Sequence, residues 1–171
     1  MRVLVTYGSK RGGTEGLARM VAGNLRDRGL EVDLLPPRQV HDVAVYNAVV
    51  VGGALYAFRW HPAARRFVRR HLHVLQQRPT WFFSSGPLDD SALKSDIPPV
   101  RGVARLMERS GAKGHATFGG RLSPQARGFP ASAMAKKNAG DWRDPGQVRQ
   151  WADGIAADLQ SQGTGQAAMT G

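Results

Sequence analysis

A chain of 171 residues with 42% hydrophobic and 22% charged residues is long enough to bury one core without staples, which excludes a disordered or collagen-like polymer. It has no cysteine, so disulfides, thiolate metal sites and a cysteine nucleophile are excluded from its chemistry. Lys and Arg number 24 against 13 acidic residues, a formal charge of +11 that favours anionic partners, whether nucleic acid, anionic lipid or acidic proteins and substrates.

The chain opens on Arg2 to Tyr7, a short β-rich run ending at Gly8. Leu17, Ala18, Val21 and Leu25 then recur at helical spacing, and Gly29 stops that helix. Glu31 to Leu35 alternates as a second strand before Pro36 and Pro37, and Asn47 to Gly53 is apolar throughout, as a central strand of a parallel sheet should be. Pro62 to Gln76 reads as a helix with Ala64, Phe67, Val68, His71, Leu72 and Leu75 on one face and Arg65, Arg66, Arg69 and Arg70 on the other. Thr80 to Ser84 is the fourth strand, Val100 to Arg109 a helix closed by Gly111, and His115 to Gly119 the fifth strand.

Residues 120 to 144 are rich in Gly, Pro, Ser and Ala and are expected as loop with one irregular helical turn. Asp144 as cap with Pro145 at the first position starts the last helix, whose apolar face is Val148, Trp151, Ile155 and Leu159. Residues 1–160 are therefore expected to form one domain and 161–171 a flexible tail. No leader pattern and no apolar run long enough for a bilayer stand in the sequence, so a soluble, cytoplasmic protein is expected.

Strands alternating with helices predict an α/β fold of three layers, with a five-stranded parallel sheet in the order 2-1-3-4-5. In such a sheet the ligand lies beyond the carboxyl ends of the strands, on the loops after strands one, three and four. The first of these, Gly8 to Thr14, turns from strand to helix, where backbone amides and the helix dipole favour an anion. It nearly meets the nucleotide-hydrolase pattern GxxxxGK[ST] but lacks the lysine after the second glycine, and the dinucleotide pattern GxGxxG is absent. Without that fingerprint, Asp33 reads as the exposed face of a strand rather than a ribose ligand.

Position by position, Ser9-Lys10-Arg11-Gly12-Gly13-Thr14 resembles the FMN phosphate loop of flavodoxins, with Arg11 where a hydroxyl residue is usual. After the third strand, Ala54-Leu55-Tyr56-Ala57 and the aromatics Phe58 and Trp60 could wall a flat ring, Tyr56 foremost. After the fourth, Ser85-Gly86-Pro87-Leu88 offers amides to the ring edge, and Gly120 after the fifth permits close backbone approach. His61 reads as a helix start or a proton carrier, His71 as a core histidine, and no group has metal-ligand spacing.

The stretch Gly52 to Leu75, with Tyr56, His61, Phe67, Val68 and His71, the turn Ser84 to Pro87, Gly119 to Leu122 and Asp141-Trp142, resembles the flavodoxin-domain proteins that include menaquinone-dependent protoporphyrinogen IX dehydrogenases. That resemblance implies bound FMN and an oxidoreductase passing two electrons to an acceptor such as a quinone, with no catalytic side chain required. It also implies a redox substrate or electron-transfer partner and peripheral contact with the inner face of an anionic membrane. Against that family, the stretch Ser123 to Gly140 is short and mild, with only Arg127, Lys136 and Lys137 as cations. The alternatives are an electron carrier or redox sensor without small-molecule turnover, and a basic module for nucleic acid or anionic lipid. Nucleic acid is the least expected partner, because no aromatic platform is interleaved with the arginines of Arg65 to Arg70.

Overall fold

The computed structural model describes residues 1–10, 12–125, 127, 133, 135 and 139–168, for residues 164–168 the backbone alone. Its strands are β1 (Arg2–Gly8), β2 (Glu31–Leu35), β3 (Ala48–Tyr56), β4 (Arg59–Trp60), β5 (Thr80–Ser85), β6 (Gly114–Phe118), β7 (Arg121–Leu122) and β8 (Gly140–Asp141). The helices used below are α1 (Gly13–Asp27), α2 (Pro62–Arg70), α3 (Leu72–Leu75), α4 (Ser91–Lys94), α5 (Arg101–Ser110) and α6 (Pro145–Ala168).

Five parallel strands run in the order β2-β1-β3-β5-β6, which is the expected 2-1-3-4-5 once the two-residue β4 is set aside. Alternation along each strand divides the core in two. Val3, Val5, Val50 and Phe83 face α1 and α6, while Leu4, Val49, Val51 and Phe82 face α2 and α5. The central strands are apolar on both faces because helices cover both, giving the three-layer α/β/α arrangement.

Local chemistry sets the helix ends. Gly29 and Gly111 take φ of +82° and +68°, the left-handed conformation that ends α1 and α5 and that suits glycine. Asp144 Oδ1 accepts the amide hydrogen of Gln147 at 2.9 Å and Pro145 opens α6 behind it. Val148, Ile155 and Leu159 are buried on the sheet, with Trp151 edge-on to Phe83 and Phe118.

Several boundaries differ from expectation. β3 continues three residues past Gly53 because β4 folds back on it, Leu55 opposite Trp60 and Tyr56 opposite Arg59. The expected helix Pro62 to Gln76 divides at His71, whose φ of −106° and ψ of 17° leave the helical region while the apolar face continues. Where a loop with one helical turn is expected after Gly120, Arg121 and Leu122 pair antiparallel with Asp141 and Gly140, a two-residue ladder too short to show alternation in sequence. The α6 backbone runs on to Ala168, past Ser161 where apolar periodicity stops and the tail is expected. The cations Lys136 and Lys137 lie outside the described residues. Among the described residues no helix is long and apolar enough to cross a membrane.

Candidate functional site

Parallel strands put the loops after β1, β3, β5 and β6 at one end of the sheet, and the chain reverses its direction of winding between β1 and β3. At that end the glycine loop turns through Gly12, whose φ is +78° and whose amide donates to Ser9 Oγ at 3.1 Å. The first bond of α1 runs from the Gly16 amide to the Gly12 carbonyl at 3.0 Å. The amides of Gly13, Thr14 and Glu15 thus precede any helical acceptor and, with the positive end of the dipole, face outward for an anion. Among the described residues no side-chain cap bond is made at this helix start. Arg11 lies outside the described residues.

The β3–β4 hairpin forms the opposite wall. Its two turn residues, Ala57 and Phe58, take φ of +46° and +59°, a conformation that hairpins ordinarily fill with Asn and Gly. Trp60 returns into the core at 2% exposure against Phe82, so it is a packing residue. Phe58 is 86% exposed at the tip, and Tyr56 is partly exposed beside the cavity. His61 follows at the N-cap of α2, its Nδ1 accepting the Ala63 amide hydrogen at 3.2 Å and its own amide donating to the Ala54 carbonyl at 2.8 Å. Burial, then the charges of Lys10 and Arg65, hold its pKa below the usual value, so the neutral ring keeps its proton on Nε2.

Backbone hydrogen bonds tie the remaining loops together. The Gly86 amide donates to the Phe118 carbonyl at 3.0 Å and the Gly120 amide to the Pro87 carbonyl at 2.9 Å. A Cβ on Gly120 would stand 3.0 Å from the Gly86 carbonyl oxygen, which is why the closest approach falls at a glycine. Beneath them, buried Ser84 pairs through Oγ with His115 Nε2 at 2.9 Å, and burial lowers the His115 pKa to about 4.

These walls enclose one cavity of about 670 Å³. Of the residues singled out in the sequence, Ser9, Lys10, Gly13, Thr14, Ala54, Leu55, Tyr56, Ala57, Ser85, Gly86, Leu88 and Gly120 line it. Gly12 shapes the turn and Pro87 the loop bond to Gly120 without lining the cavity. Pro62 lines it as well, and so do His61, expected as a helix start or proton carrier, and Arg121 and Leu122, whose stretch after the fifth strand offers a cation beside Gly120. For His61 and Pro62 the signal was present, since they follow the aromatic loop directly; Arg121 and Leu122 enter through the β7–β8 pairing. Asp33 is not a bare strand face: its Oδ2 accepts from Arg2 at 2.7 Å and from Tyr46 at 2.8 Å, at the other end of the sheet. No cluster of metal-ligating side chains occurs among the described residues.

Comparison with known proteins gives the same fold. The profile of a family described as "Flavodoxin domain" matches residues 4–136. Protoporphyrinogen IX dehydrogenase [quinone] of Escherichia coli K12 is 26% identical over 86 residues, so the match spans about half the length of each protein, 49% of this chain and 48% of that one. An archaeal flavodoxin superposes with a TM-score of 0.63 at 14% identity, over 94% of this chain and 99% of that one. A cysteine-to-serine variant of a Pseudomonas aeruginosa flavodoxin gives 0.61 at 17% identity with the same coverage. The rubredoxin oxygen:oxidoreductase of Desulfovibrio gigas gives 0.61 at 19% identity, over 94% of this chain and only 36% of that larger protein. With the matched residues spanning most of the sheet and the glycine loop, the chain belongs to the flavodoxin domain family.

Proposed function

We propose that the cavity binds FMN and that the chain is a flavin-dependent oxidoreductase passing electrons from a reduced substrate to a quinone. The observation that carries this reading is the joining, in one cavity of about 670 Å³, of unpaired helix-start amides at one end with Tyr56 and the glycine loops around Gly86 and Gly120 at the other. That volume suits a ligand of cofactor size, and the donor set suits a terminal phosphate followed by a flat ring.

Bound FMN would supply the electron transfer through its ring, so no side-chain nucleophile is needed. The chain's own contribution is binding and electrostatics. Amides of Gly13 and Thr14 hold the phosphate with help from the charge of Lys10, and Tyr56 offers a stacking face. The loops of Gly86 and Gly120 are in close contact and these two glycines line the cavity with backbone alone, which leaves a planar ring room to lie against them, and the neutral His61 ring lines the same cavity. Quinone as acceptor is supported by the named activity of the Escherichia coli relative, over half its length.

A second reading, an electron carrier, is favoured by the near-complete coverage of two flavodoxins at 99% of their length. Titration of the protein into FMN, followed by fluorescence, tests the common part. Quenching is expected, with riboflavin bound about tenfold or more weakly for want of the phosphate contacts; unquenched FMN overturns both readings. Anaerobic turnover of a menaquinone analogue by the FMN-loaded protein then separates enzyme from carrier.

A further inference from the structure

Outside the flavin cavity, the exposed side of α2 carries Arg65, Arg66, Arg69 and Arg70, which with Pro62 enclose a second, open depression of about 410 Å³. We propose that this depression is a binding site for a phosphate-bearing anion, separate from the glycine loop and independent of what the flavin cavity holds.

Three observations carry it. First, the helix gathers four arginines with no acidic residue, and none of the four forms an ion pair among the described residues. Second, Arg65 with Arg69 and Arg66 with Arg70 are like-charge neighbours at i, i+4, a spacing that destabilises a helix unless an anion lies between them. Third, Arg65 Nε is shielded from solvent with no hydrogen-bond partner, an unmet donor that a turn of this half-buried side chain toward the depression would bring to an oxygen there.

Guanidinium groups on successive turns present paired N–H donors, the geometry that planar or tetrahedral oxyanions take in bidentate fashion. An anion of two or more charges would relieve the repulsion of both pairs. Pro62 is shared with the wall of the flavin cavity, so the anion would lie beside its mouth and raise no competition for the glycine-loop amides. The shared chemistry is a phosphate group, whose source is either a free organic phosphate or the headgroup of an anionic lipid.

The test uses the full chain with inorganic pyrophosphate in calorimetry and, in parallel, sedimentation with phosphatidylglycerol or phosphatidylcholine vesicles. Pyrophosphate binding is expected to persist in saturating FMN and to weaken about tenfold in R65Q/R69Q and in R66Q/R70Q. The control R105Q/R149Q, exposed residues outside the depression with the same change of charge, should bind as the parent does. Selective sedimentation with phosphatidylglycerol, lost in the α2 variants, would assign the phosphate to lipid, and pyrophosphate binding without it to a free phosphate. The proposal is overturned if neither probe binds, if the control weakens binding as much as the α2 variants, or if FMN displaces pyrophosphate. FMN affinity of R66Q/R70Q, read by fluorescence, should stay at the parental value and reports separately on the flavin reading.

Discussion

His61 Nδ1 accepts the amide hydrogen of Ala63 at 3.2 Å, so the residue that begins α2 is also one that lines the cavity of the glycine loop. Asparagine is a strong N-cap and alanine a poor one. His61→Ala should lower stability by about 1 kcal/mol in urea unfolding, while His61→Asn should recover most of it. Equal loss in both variants would mean that the cap contributes nothing.

Gly8 packs against that same histidine, and a Cβ there would come within 2.8 Å of His61 Nδ1 and 2.9 Å of the Ala64 amide nitrogen. The second atom is backbone and cannot swing aside. Gly8→Ala is expected to destabilise by about 1–3 kcal/mol through overpacking, and to weaken FMN binding by shifting the start of the glycine loop. Thermal unfolding and fluorescence titration measure the two effects, and a parental melting temperature would refute the close contact.

The turn of the β3–β4 hairpin places Ala57 and Phe58 at positive φ without glycine. Each such residue is strained by roughly 1–2 kcal/mol, and Phe58 recovers nothing by burial at 86% exposure. The double substitution A57N/F58G should raise stability by about 1–2 kcal/mol, because asparagine followed by glycine accepts this turn with little strain. A lower melting temperature would show that Phe58 makes a stabilising contact.

His115 is held neutral by burial, with its pKa near 4 against an ordinary value of 6.5, and Asp96 only partly offsets this. Between those values the unfolded chain binds the proton and the folded chain does not. Stability should therefore fall as pH drops from about 6.5 to about 4, by on the order of 3 kcal/mol from this group, and level off below. His61 and His71, also lowered, add to the same slope. His115→Asn, which keeps a partner for Ser84, should flatten the slope without abolishing it; an unchanged slope in urea unfolding across that range would exclude His115 as its source.

Tyr46 donates to Asp33 Oδ2 at 2.8 Å while Arg2 stacks on its ring at 5.2 Å, and burial followed by the Asp33 bond pushes its pKa up to about 12. Tyr46→Phe should cost about 1–2 kcal/mol, since it removes a hydrogen bond to a charged acceptor that Arg2 still holds. In a spectrophotometric titration, the tyrosine that ionises last in the parent should vanish from the variant.

The layered fold and most of the cavity lining are legible in the order of residues along the chain. Continuous apolar runs at β3 and β5 can be buried only between two helical layers, and glycine at residues 12, 29 and 111 marks turns that other residues resist. The spacing of the glycines marks Gly12, Gly13 and Thr14 as a helix start because that feature is local. Other features depended on contacts between distant residues. Whether Trp60 or Phe58 would be the buried aromatic was settled by the β4 return, which turns one ring onto Phe82 and the other to solvent. Arg121 and Leu122 reach the cavity through a pairing with Asp141 and Gly140, far along the chain, and a two-residue ladder leaves no periodicity to read. Asp33 took its partners from the first strand and from Tyr46 by the same nonlocal rule. Local dihedral preferences and burial patterns are written residue by residue; which side chains meet across the sheet end is decided only when the strands are in register.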